Sequence, residues 1–285
     1  MAHTDYTARG LALPFCPTAR LALPIGALDT TATMDGYTSP IGDGIRVGMA
    51  AMIEGEIVVV EARSGNTLTL GRGTCDTIPA PHPANAVIFF FDDSLGSDDR
   101  QYVATENIGV KPLPRTNSGG PLARESAPPE GLTFNWRFHR PYPPGDVTIN
   151  GQPFTTTGAL GPATGPLTLA WAHRDRIVQM DQLIKHGAPS IGPEPGTTYR
   201  ILVIRTSDGS VRRSVDLGAV VAWTYTFAQM VADFGPSLVD IPAYITLESR
   251  RDGLSSWQSY RINFVAQASI LAGSRTLDLG YEVLT

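Results

Sequence analysis

Apolar and polar residues alternate with a period of two along much of the chain, which is the pattern of β-strands with one buried face. The segments Arg46–Ile53 and Glu56–Arg63, followed by a turn at Ser64–Asn66 and the segment Thr67–Leu70, predict antiparallel strands joined by a tight hairpin. The apolar run Ala86–Phe91 predicts a further strand beside them. The first half of the chain is therefore expected to form a small β module.

A second series of short strands is predicted in the second half, at the spacing that is typical of an immunoglobulin-like sandwich. These strands are Val147–Asn150, Leu167–Ala172, Tyr199–Arg205, Val211–Leu217, Trp223–Phe227, Ala243–Ser249 and Trp257–Val265. Leu167, Leu169 and Trp171 alternate on one face, so we expect Trp171 in the core. Only Ile177–His186 and Phe227–Phe234 have helical spacing, and they predict one or two helical turns in loops.

Composition agrees with a turn-rich β protein, because 29 glycines and 23 prolines among 285 residues disfavour long helices. The net charge of −5 and the pI near 5.5 argue against a nucleic-acid partner. Cys16 and Cys75 are too few for a disulfide scaffold and lack the spacing of a zinc or redox site. We expect no membrane anchor and synthesis in a cytoplasm, since neither a long apolar run nor a signal-peptide pattern is present.

Five segments of the second half carry a resemblance to a known family. They are PYPPGDVTINGQPF, GPLTLAWAHRDR, IGPEPGTTYRILVI, SDGSVRRSV and ITLESRRDGLSSWQSYRINF. In this order they resemble a fibronectin-III-like module of the tail-tip and baseplate hub proteins of long-tailed bacteriophages. Upstream, LTLGRGTCDTIPAPHPANAVIFF resembles a β module of the same proteins, with Arg72-Gly73, Thr77, His82 and Asn85-Ala86 at its characteristic positions. Asn85 replaces a glycine that is usual there, and asparagine also tolerates a left-handed turn.

Together with the strand patterns, the resemblance implies an all-β fold in which a small β-barrel-like module precedes a fibronectin-III/immunoglobulin-like β-sandwich. The expected organisation is an extended N-terminal arm at 1–25, the small β module at 26–111, a linker at 112–140, the sandwich at 141–265 and a C-terminal tail at 266–285. The arm is expected because a near-repeat, ARGLALP and then ARLALP, ends each time in a proline that blocks helix continuation. Such an arm would gain order by lying on another subunit.

The resemblance implies a structural, non-enzymatic virion protein of a phage tail tip or baseplate, acting in tail assembly and in host attachment. Expected partners are other tail or baseplate subunits, further copies of this chain, with a trimer favoured, and a receptor on the host surface. No cofactor is expected. Two alternatives stay open. One is a receptor- or glycan-binding module, which exposed aromatic residues in the sandwich loops would indicate; the other is a tail-borne glycoside hydrolase, which needs two facing carboxylates.

The chemistry-bearing residues form no local motif, because no two of the five histidines have the spacing of metal ligands. Asp92, Asp93, Asp98 and Asp99 lie close together in sequence and could gather around a calcium ion, although their spacing matches no EF-hand. A solvated hairpin tip accounts for these acids equally well. We therefore predict no catalytic or metal site from the sequence.

The strongest candidate surface is one end of the sandwich. The loop His173–Thr198 is much longer than an ordinary connection, and its apolar residues recur at helical spacing. This loop and the turn that precedes the last strand are expected at the same end, which would bring four arginines together. The predicted interface residues are Arg174, Arg176, Ile177, Met180, Leu183, Ile184, Arg250 and Arg251. The alternative is that the loop folds back on its own sandwich and the arginines form a solvated, partly paired surface.

Overall fold

The computed structural model is all-β, as predicted, and its first half is a closed barrel. It describes residues 15–39, 42–96, 100–115, 119–154, 159–163, 165–236 and 238–267. The barrel strands are β1 (Thr18–Leu21), β2 (Thr31–Thr38), β3 (Ala50–Ile53), β4 (Glu56–Ser64), β5 (Thr67–Gly71) and β6 (Val87–Phe89). Their order around the barrel is β1-β2-β5-β4-β3-β6. Inward residues such as Val58 and Val60 of β4 and Leu68 and Leu70 of β5 fill the interior, and the predicted β4–β5 hairpin is confirmed.

The prediction of an extended arm over residues 1–25 is wrong in its second part. Residues Thr18–Leu21 form β1, which closes the barrel by pairing with β2 on one side and β6 on the other. Ala19 and Leu21 point inward and are buried, and Ile25 belongs to the same core. A strand of four residues has two inward side chains, and here both are buried in the barrel. Pro24 therefore follows a barrel strand and does not mark an extended arm. Residues 1–14 lie outside the described residues.

The predicted linker at 112–140 also contains regular structure. The second sheet of the molecule is a hairpin of β7 (Asn107–Val110) and β8 (Glu130–Thr133), and it crosses the predicted module boundary at 111. A 3-10 turn follows at Arg137–His139. The Arg137 side chain forms an ion pair with Asp76 of the barrel, so this connection is held against the first module.

The second module is a two-sheet β-sandwich of the predicted type. Its strands are β9 (Gly145–Ile149), β10 (Gln152–Pro153), β11 (Ala159–Ala163), β12 (Leu167–Ala172), β13 (Thr198–Arg205), β14 (Val211–Leu217), β15 (Ala222–Tyr225), β16 (Ile241–Arg251), β17 (Leu254–Ser255) and β18 (Tyr260–Ala266). One sheet has the order β10-β9-β12-β15, and the other has the order β11-β18-β16-β13-β14, with β17 paired to β16. All seven predicted strands are present. Residues 268–285, most of the predicted tail, lie outside the described residues.

The core of the sandwich lies between these sheets and contains Trp171, as predicted. Trp171 is 5% exposed and its ring lies 5.2 Å from that of Tyr199, centroid to centroid. The predicted helical segment Phe227–Phe234 is an α-helix, α1, which begins at a capping box formed by Thr226 and Gln229. The segment Ile177–His186 contains no helix, but hydrogen-bonded turns occupy its first part, with the Gln179 N–H donating to the Asp175 carbonyl oxygen at 3.0 Å. The helical expectation therefore holds for one turn only.

Barrel and sandwich are joined by hydrogen bonds between their backbones and a few side chains. The His186 backbone N–H donates to the Arg72 carbonyl oxygen at 2.8 Å. The Gln258 side chain accepts from the Ile78 N–H at 2.7 Å and donates to the Gly55 carbonyl oxygen at 3.0 Å. Since Ile78 also packs against the sandwich core, the two modules share buried surface at this joint.

A buried ionic cluster lies on the barrel side of the joint. Arg72 and Glu56 form a two-pronged ion pair, with Nε–Oε1 at 2.9 Å and Nη2–Oε2 at 2.8 Å, and both are almost fully buried. The Arg72 guanidinium also donates to the carbonyl oxygens of Gly26 and Asp29. His82 lies between two carboxylates, with Nε2 at 2.8 Å from Glu56 and Nδ1 at 2.7 Å from Glu54. Each charged group of the cluster has a hydrogen-bond partner, and such pairing is what allows charged side chains to be buried.

The barrel residues that the sequence analysis singled out have structural roles. Arg72 and His82 belong to the buried cluster. Gly73 has φ of +57°, and a Cβ there would lie 2.4 Å from the Pro79 ring. Asn85 has φ of +68°, which confirms that asparagine holds a left-handed turn at this position.

Trp171→Ala should lower the free energy of unfolding by about 3–5 kcal/mol, because the cavity opens in the centre of the sandwich. His173→Ala is the matched control at the edge of the core, where Nδ1 lies 2.6 Å from the Tyr199 hydroxyl. Loss of this hydrogen bond should cost about 1 kcal/mol. Urea unfolding measures both, and equal losses would show that Trp171 does not occupy the core.

The two buried histidines should make stability depend on pH with opposite signs. Burial lowers the pKa of His82, but hydrogen bonds to Glu56 and Glu54 outweigh burial, so its pKa lies above the ordinary value of 6.5. Burial, with Arg174 nearby, lowers the pKa of His186 to about 4. The contribution of His82 is complete below pH 6.5 and is lost as pH rises through its raised pKa. That of His186 is complete above pH 6.5 and is lost as pH falls towards about 4.

His82→Gln should therefore flatten the alkaline side of the stability curve, and His186→Gln should flatten part of the acid side. The acid side does not flatten entirely in His186→Gln, because Glu56 has a lowered pKa: burial raises it, but hydrogen bonds from His82 and Arg72 outweigh burial. Its contribution is lost as pH falls below the ordinary value of 4.5. Urea unfolding across pH measures these slopes. Identical slopes in both variants would contradict the assignment.

Candidate binding surface at the junction end of the sandwich

The structure brings only two of the four predicted interface arginines together. Arg176 Nη2 lies 2.9 Å and Arg251 Nη1 lies 3.1 Å from the same oxygen of Glu194. Glu194 is 2% exposed, so its carboxylate is neutralised from both sides inside the loop. Arg251 Nε also donates to the Pro195 carbonyl oxygen at 3.0 Å. These arginines fasten the long loop to the turn after β16, as the predicted convergence of the two segments requires.

Arg174 is not an interface residue, and this prediction is corrected. Its side chain is 6% exposed and donates to five backbone carbonyl oxygens. Those carbonyls belong to His173, Lys185, His186, Ala188 and Pro189. The guanidinium crosses directly over Gly145, where a Cβ would lie 1.9 Å from Nη2. Arg174, two residues after the end of β12, therefore holds the long loop through its backbone carbonyl oxygens.

Arg250 lies apart from the other three. It pairs with Thr198 across β13 and β16, and its Nη1 is 3.4 Å from Asp216 of β14. Asp216 is 70% exposed, so this is a surface ion pair on the outer face of the larger sheet. The prediction that Arg250 joins the convergent arginines is wrong, because β16 places consecutive residues on opposite faces.

The apolar residues of the loop divide into two groups. Ile177 and Met180 are 54% and 72% exposed, whereas Leu183 and Ile184 are half-buried. Asp175 Oδ1 accepts from the backbone N–H groups of Ile177 and Val178, as a helix N-cap residue does, but the turn that begins there ends at Asp181. Because the chain leaves this turn before Leu183, Leu183 and Ile184 do not continue a stripe with Ile177 and Met180.

Two exposed apolar residues that the sequence analysis did not select lie near Ile177 and Met180. Val178 is 60% exposed and Phe138 is 78% exposed. Arg176 connects them, since its Nη1 donates to the Phe138 carbonyl oxygen at 3.1 Å. We call Phe138, Ile177, Val178 and Met180 the apolar patch. Large apolar side chains that are exposed on firmly held segments are typical of an interaction surface.

Beside this patch is a cleft of about 360 Å3. Its lining residues are Trp136, His139, Arg251, Asp252 and Leu254. Trp136 is 47% exposed, and its ring meets the His139 ring edge-on at 4.7 Å between centroids. We call this the aromatic cleft.

The turn that lines the aromatic cleft is held in place by contacts with Trp257 and the β17 region. Trp257 lies beside the 3-10 turn with Arg137 stacked over its ring at 5.0 Å and Arg140 at 5.8 Å. Arg140 also donates to the Ser255 carbonyl oxygen at 2.9 Å. The turn that carries Trp136 and His139 is thereby attached to the β17 region of the sandwich.

Sequence reasoning missed Trp136 and His139 because they lie in the predicted linker. The signal was present as the run Phe134–His139, in which aromatic residues alternate with the polar residues Asn135 and Arg137. Proline and glycine upstream indicated a linker, and no periodicity in the run pointed to its contact with the sandwich. Tertiary contacts alone bring these rings to Arg251 and Leu254.

The acidic segment near Asp92 is explained in part by an ion pair. Arg46 Nη2 lies 3.0 Å from Asp92 and 2.8 Å from Asp93. Asp98 and Asp99 lie outside the described residues. Within the described ranges, no group of three or more His, Cys, Asp or Glu side chains could hold a metal ion. The helices found in these ranges are also too short or too polar to cross a membrane.

No protein-family model and no curated protein sequence matches the chain. Among solved structures, the chain is similar to the FN1–FN3 domains of chicken CNTN1, with 9% sequence identity and a TM-score of 0.27. That alignment covers 90% of this chain and 65% of the matched chain, so this chain spans less than two thirds of that structure's length.

Replacing the buried arginine should be far more damaging than replacing the exposed one. Arg174→Met removes hydrogen bonds to five carbonyl oxygens and should cost more than about 3 kcal/mol, chiefly because the carbonyls of Ala188 and Pro189 have no backbone donor among the described residues in its place. Arg250→Met removes one surface ion pair and should cost less than about 1 kcal/mol. Urea unfolding of the full chain measures both. Comparable losses would contradict the buried role of Arg174.

Proposed function

We propose that this chain is a structural, non-enzymatic virion protein of a phage tail tip or baseplate, which acts in tail assembly and in host attachment. Its partners would be other tail subunits and further copies of itself. The apolar patch carries the proposal, because four large side chains remain exposed on two segments, the 3-10 turn and the long loop, which ion pairs and hydrogen bonds hold in place. Such a surface suits contact with another protein subunit.

The modular architecture supports the same proposal. A closed barrel and a two-sheet sandwich leave most of their surface free while the joint fixes their connection through Gln258 and His186. The barrel residues that resemble a hub-protein module have defined structural roles, including Arg72, His82 and Asn85. These positions support the resemblance without carrying any chemistry of their own.

A glycoside hydrolase is less well supported than a structural protein. Of the five residues that line the aromatic cleft, only Asp252 carries a carboxylate. Glycoside hydrolysis by the usual mechanisms needs a pair of carboxyl groups on either side of the scissile bond. The cleft is therefore suited to binding, and no bond-breaking step is assigned to it.

The assembly role predicts that polar substitutions in the patch block incorporation into particles without unfolding the chain. The test variant is Phe138→Ser with Ile177→Ser and Met180→Ser, and the control is Val239→Ser, which is 73% exposed near the start of β16. Particles assembled with each variant as the sole copy would be purified and their content of this protein measured. We expect loss of incorporation for the triple variant alone, with unchanged melting temperatures.

Normal incorporation of the triple variant would overturn the assembly role of the patch. Light scattering on the purified chain tests the homo-oligomer independently, since a trimer has three times the 30.5 kDa mass of one chain. A strictly monomeric mass at all concentrations would contradict self-association.

A further inference from the structure

The aromatic cleft contains a side chain in an unusual backbone conformation. Trp136 has φ of +59°, in the left-handed region that bulky residues rarely adopt. A strained residue persists only where its surroundings hold it, and such residues are concentrated at functional sites. Here the following turn is fixed by hydrogen bonds from the His139 and Arg140 N–H groups to the Trp136 carbonyl oxygen. The result is an indole that remains nearly half exposed on a firmly held turn.

The opposite wall of the cleft supplies hydrogen-bonding groups in a second fixed turn. Asp252 also has positive φ, at +50°, and its carboxylate is 73% exposed. Arg251 Nη1 lies 3.2 Å from Asp252 and 3.1 Å from Glu194, so the guanidinium is oriented from both sides. A planar donor group and a carboxylate acceptor thus lie side by side and line the cleft with Leu254 of the same hairpin and with the rings of Trp136 and His139.

The charges of the cleft are already balanced within the protein. The positive charge of Arg251 is compensated by Glu194 and Asp252, and Glu194 is further compensated by Arg176. Arg137, which borders the cleft behind Trp257, is paired with Asp76. A strongly charged ligand would have to break one of these pairs. The cleft therefore favours a neutral ligand with both apolar and hydroxyl surfaces.

We propose that the aromatic cleft binds a neutral carbohydrate, with a pyranose ring packed on Trp136 and its hydroxyl groups bonded to Asp252 and Arg251. The C–H face of a pyranose is apolar and fits an exposed aromatic ring, whereas its edge carries hydroxyls that donate to a carboxylate and accept from a guanidinium. A volume of about 360 Å3 is at the small end of ligand sites, as expected for one or two sugar rings.

This inference rests on the proposed function in one respect, since it assigns host attachment to the same end of the sandwich as the apolar patch. It does not depend on assembly into a particle. The patch and the cleft are lined by different residues, with Phe138 in the patch and Trp136 in the cleft. Substitutions can therefore separate the two roles.

The test is saturation-transfer NMR and calorimetric titration of the full chain with neutral saccharides. The probes are the methyl pyranosides of glucose, galactose and mannose, maltotriose, and N-acetylglucosamine with its short oligomers. Glucuronic acid and sialic acid serve as acidic probes. We expect binding of at least one neutral saccharide, with signal from its C–H protons, and no stronger binding of the acidic sugars.

Variants of the cleft locate the binding. Trp136→Ala should weaken binding by about tenfold or more, whereas Trp136→Tyr should retain most of it because an aromatic face remains. Asp252→Asn keeps the shape of the side chain and tolerates positive φ, but removes the charged acceptor and should also weaken binding. Phe138→Ser is the matched control on the same turn and should bind as the unmodified chain does.

The outcomes separate this inference from the assembly proposal. Binding that is lost in Trp136→Ala and kept in Phe138→Ser supports the carbohydrate site. No binding of any neutral saccharide, binding unaffected by Trp136→Ala, or preference for an acidic sugar would overturn it. Normal incorporation of the Trp136→Ala chain into particles, together with loss of incorporation in the patch variant, would show two independent surfaces.

Discussion

Hydrogen bonds of His186 hold together the end of the sandwich that contacts the barrel. Its backbone N–H donates to the barrel at Arg72, and its carbonyl oxygen accepts from the Asp146 N–H and from the Arg174 guanidinium. Its ring lies 2.9 Å from the Tyr260 hydroxyl inside the sandwich. One residue thus connects both modules and the long loop. Its burial keeps the imidazole neutral, because a charge there would face Arg174 without a compensating carboxylate in hydrogen-bond contact.

Arg174 and Arg176 are used inside the protein, and this explains why the prediction that they form an interface was wrong for Arg174. Arginine enrichment is a property of interfaces, and the sequence places Arg174 and Arg176 where an exposed loop begins. In the structure Arg174 serves the backbone carbonyls of the loop and Arg176 serves Glu194. A guanidinium has five N–H groups and can bind several carbonyl oxygens at once, and Arg174 supplies the donor for the Ala188 and Pro189 carbonyls, which have no backbone donor within the described part of the chain. The exposed apolar residues, and not the arginines, form the surface that we propose for contact with a partner.

The strands were predictable where their burial follows a period of two, as in β9, β13, β16 and β18. Prediction failed where contacts distant in sequence decide the structure. Thr18–Leu21 is too short to be recognised as a strand until β2 and β6 are beside it. The helical spacing of Ile177–His186 produces only a turn at its start, where Asp175 accepts from the Ile177 and Val178 N–H groups, and Arg174 binds the Lys185 and His186 carbonyl oxygens at the other end of the segment. Among the site residues, Ile177 and Met180 were found as exposed positions, whereas Trp136 was not selected.

At the end of the sandwich that carries the cleft and the patch, buried residues that stabilise the loop lie close to the exposed residues proposed for binding. Substitutions at Arg174, Glu194 or His186 remove contacts that hold the loop, so loss of binding in such variants would not distinguish a lost surface from a lost fold. Phe138 and Trp136 differ from them because their rings are exposed while the turn that carries them is fixed by its own backbone hydrogen bonds. A rigid turn that presents exposed rings loses little conformational entropy when it binds. The same rigidity that makes the buried residues indispensable for folding therefore makes the exposed ones suitable for recognition.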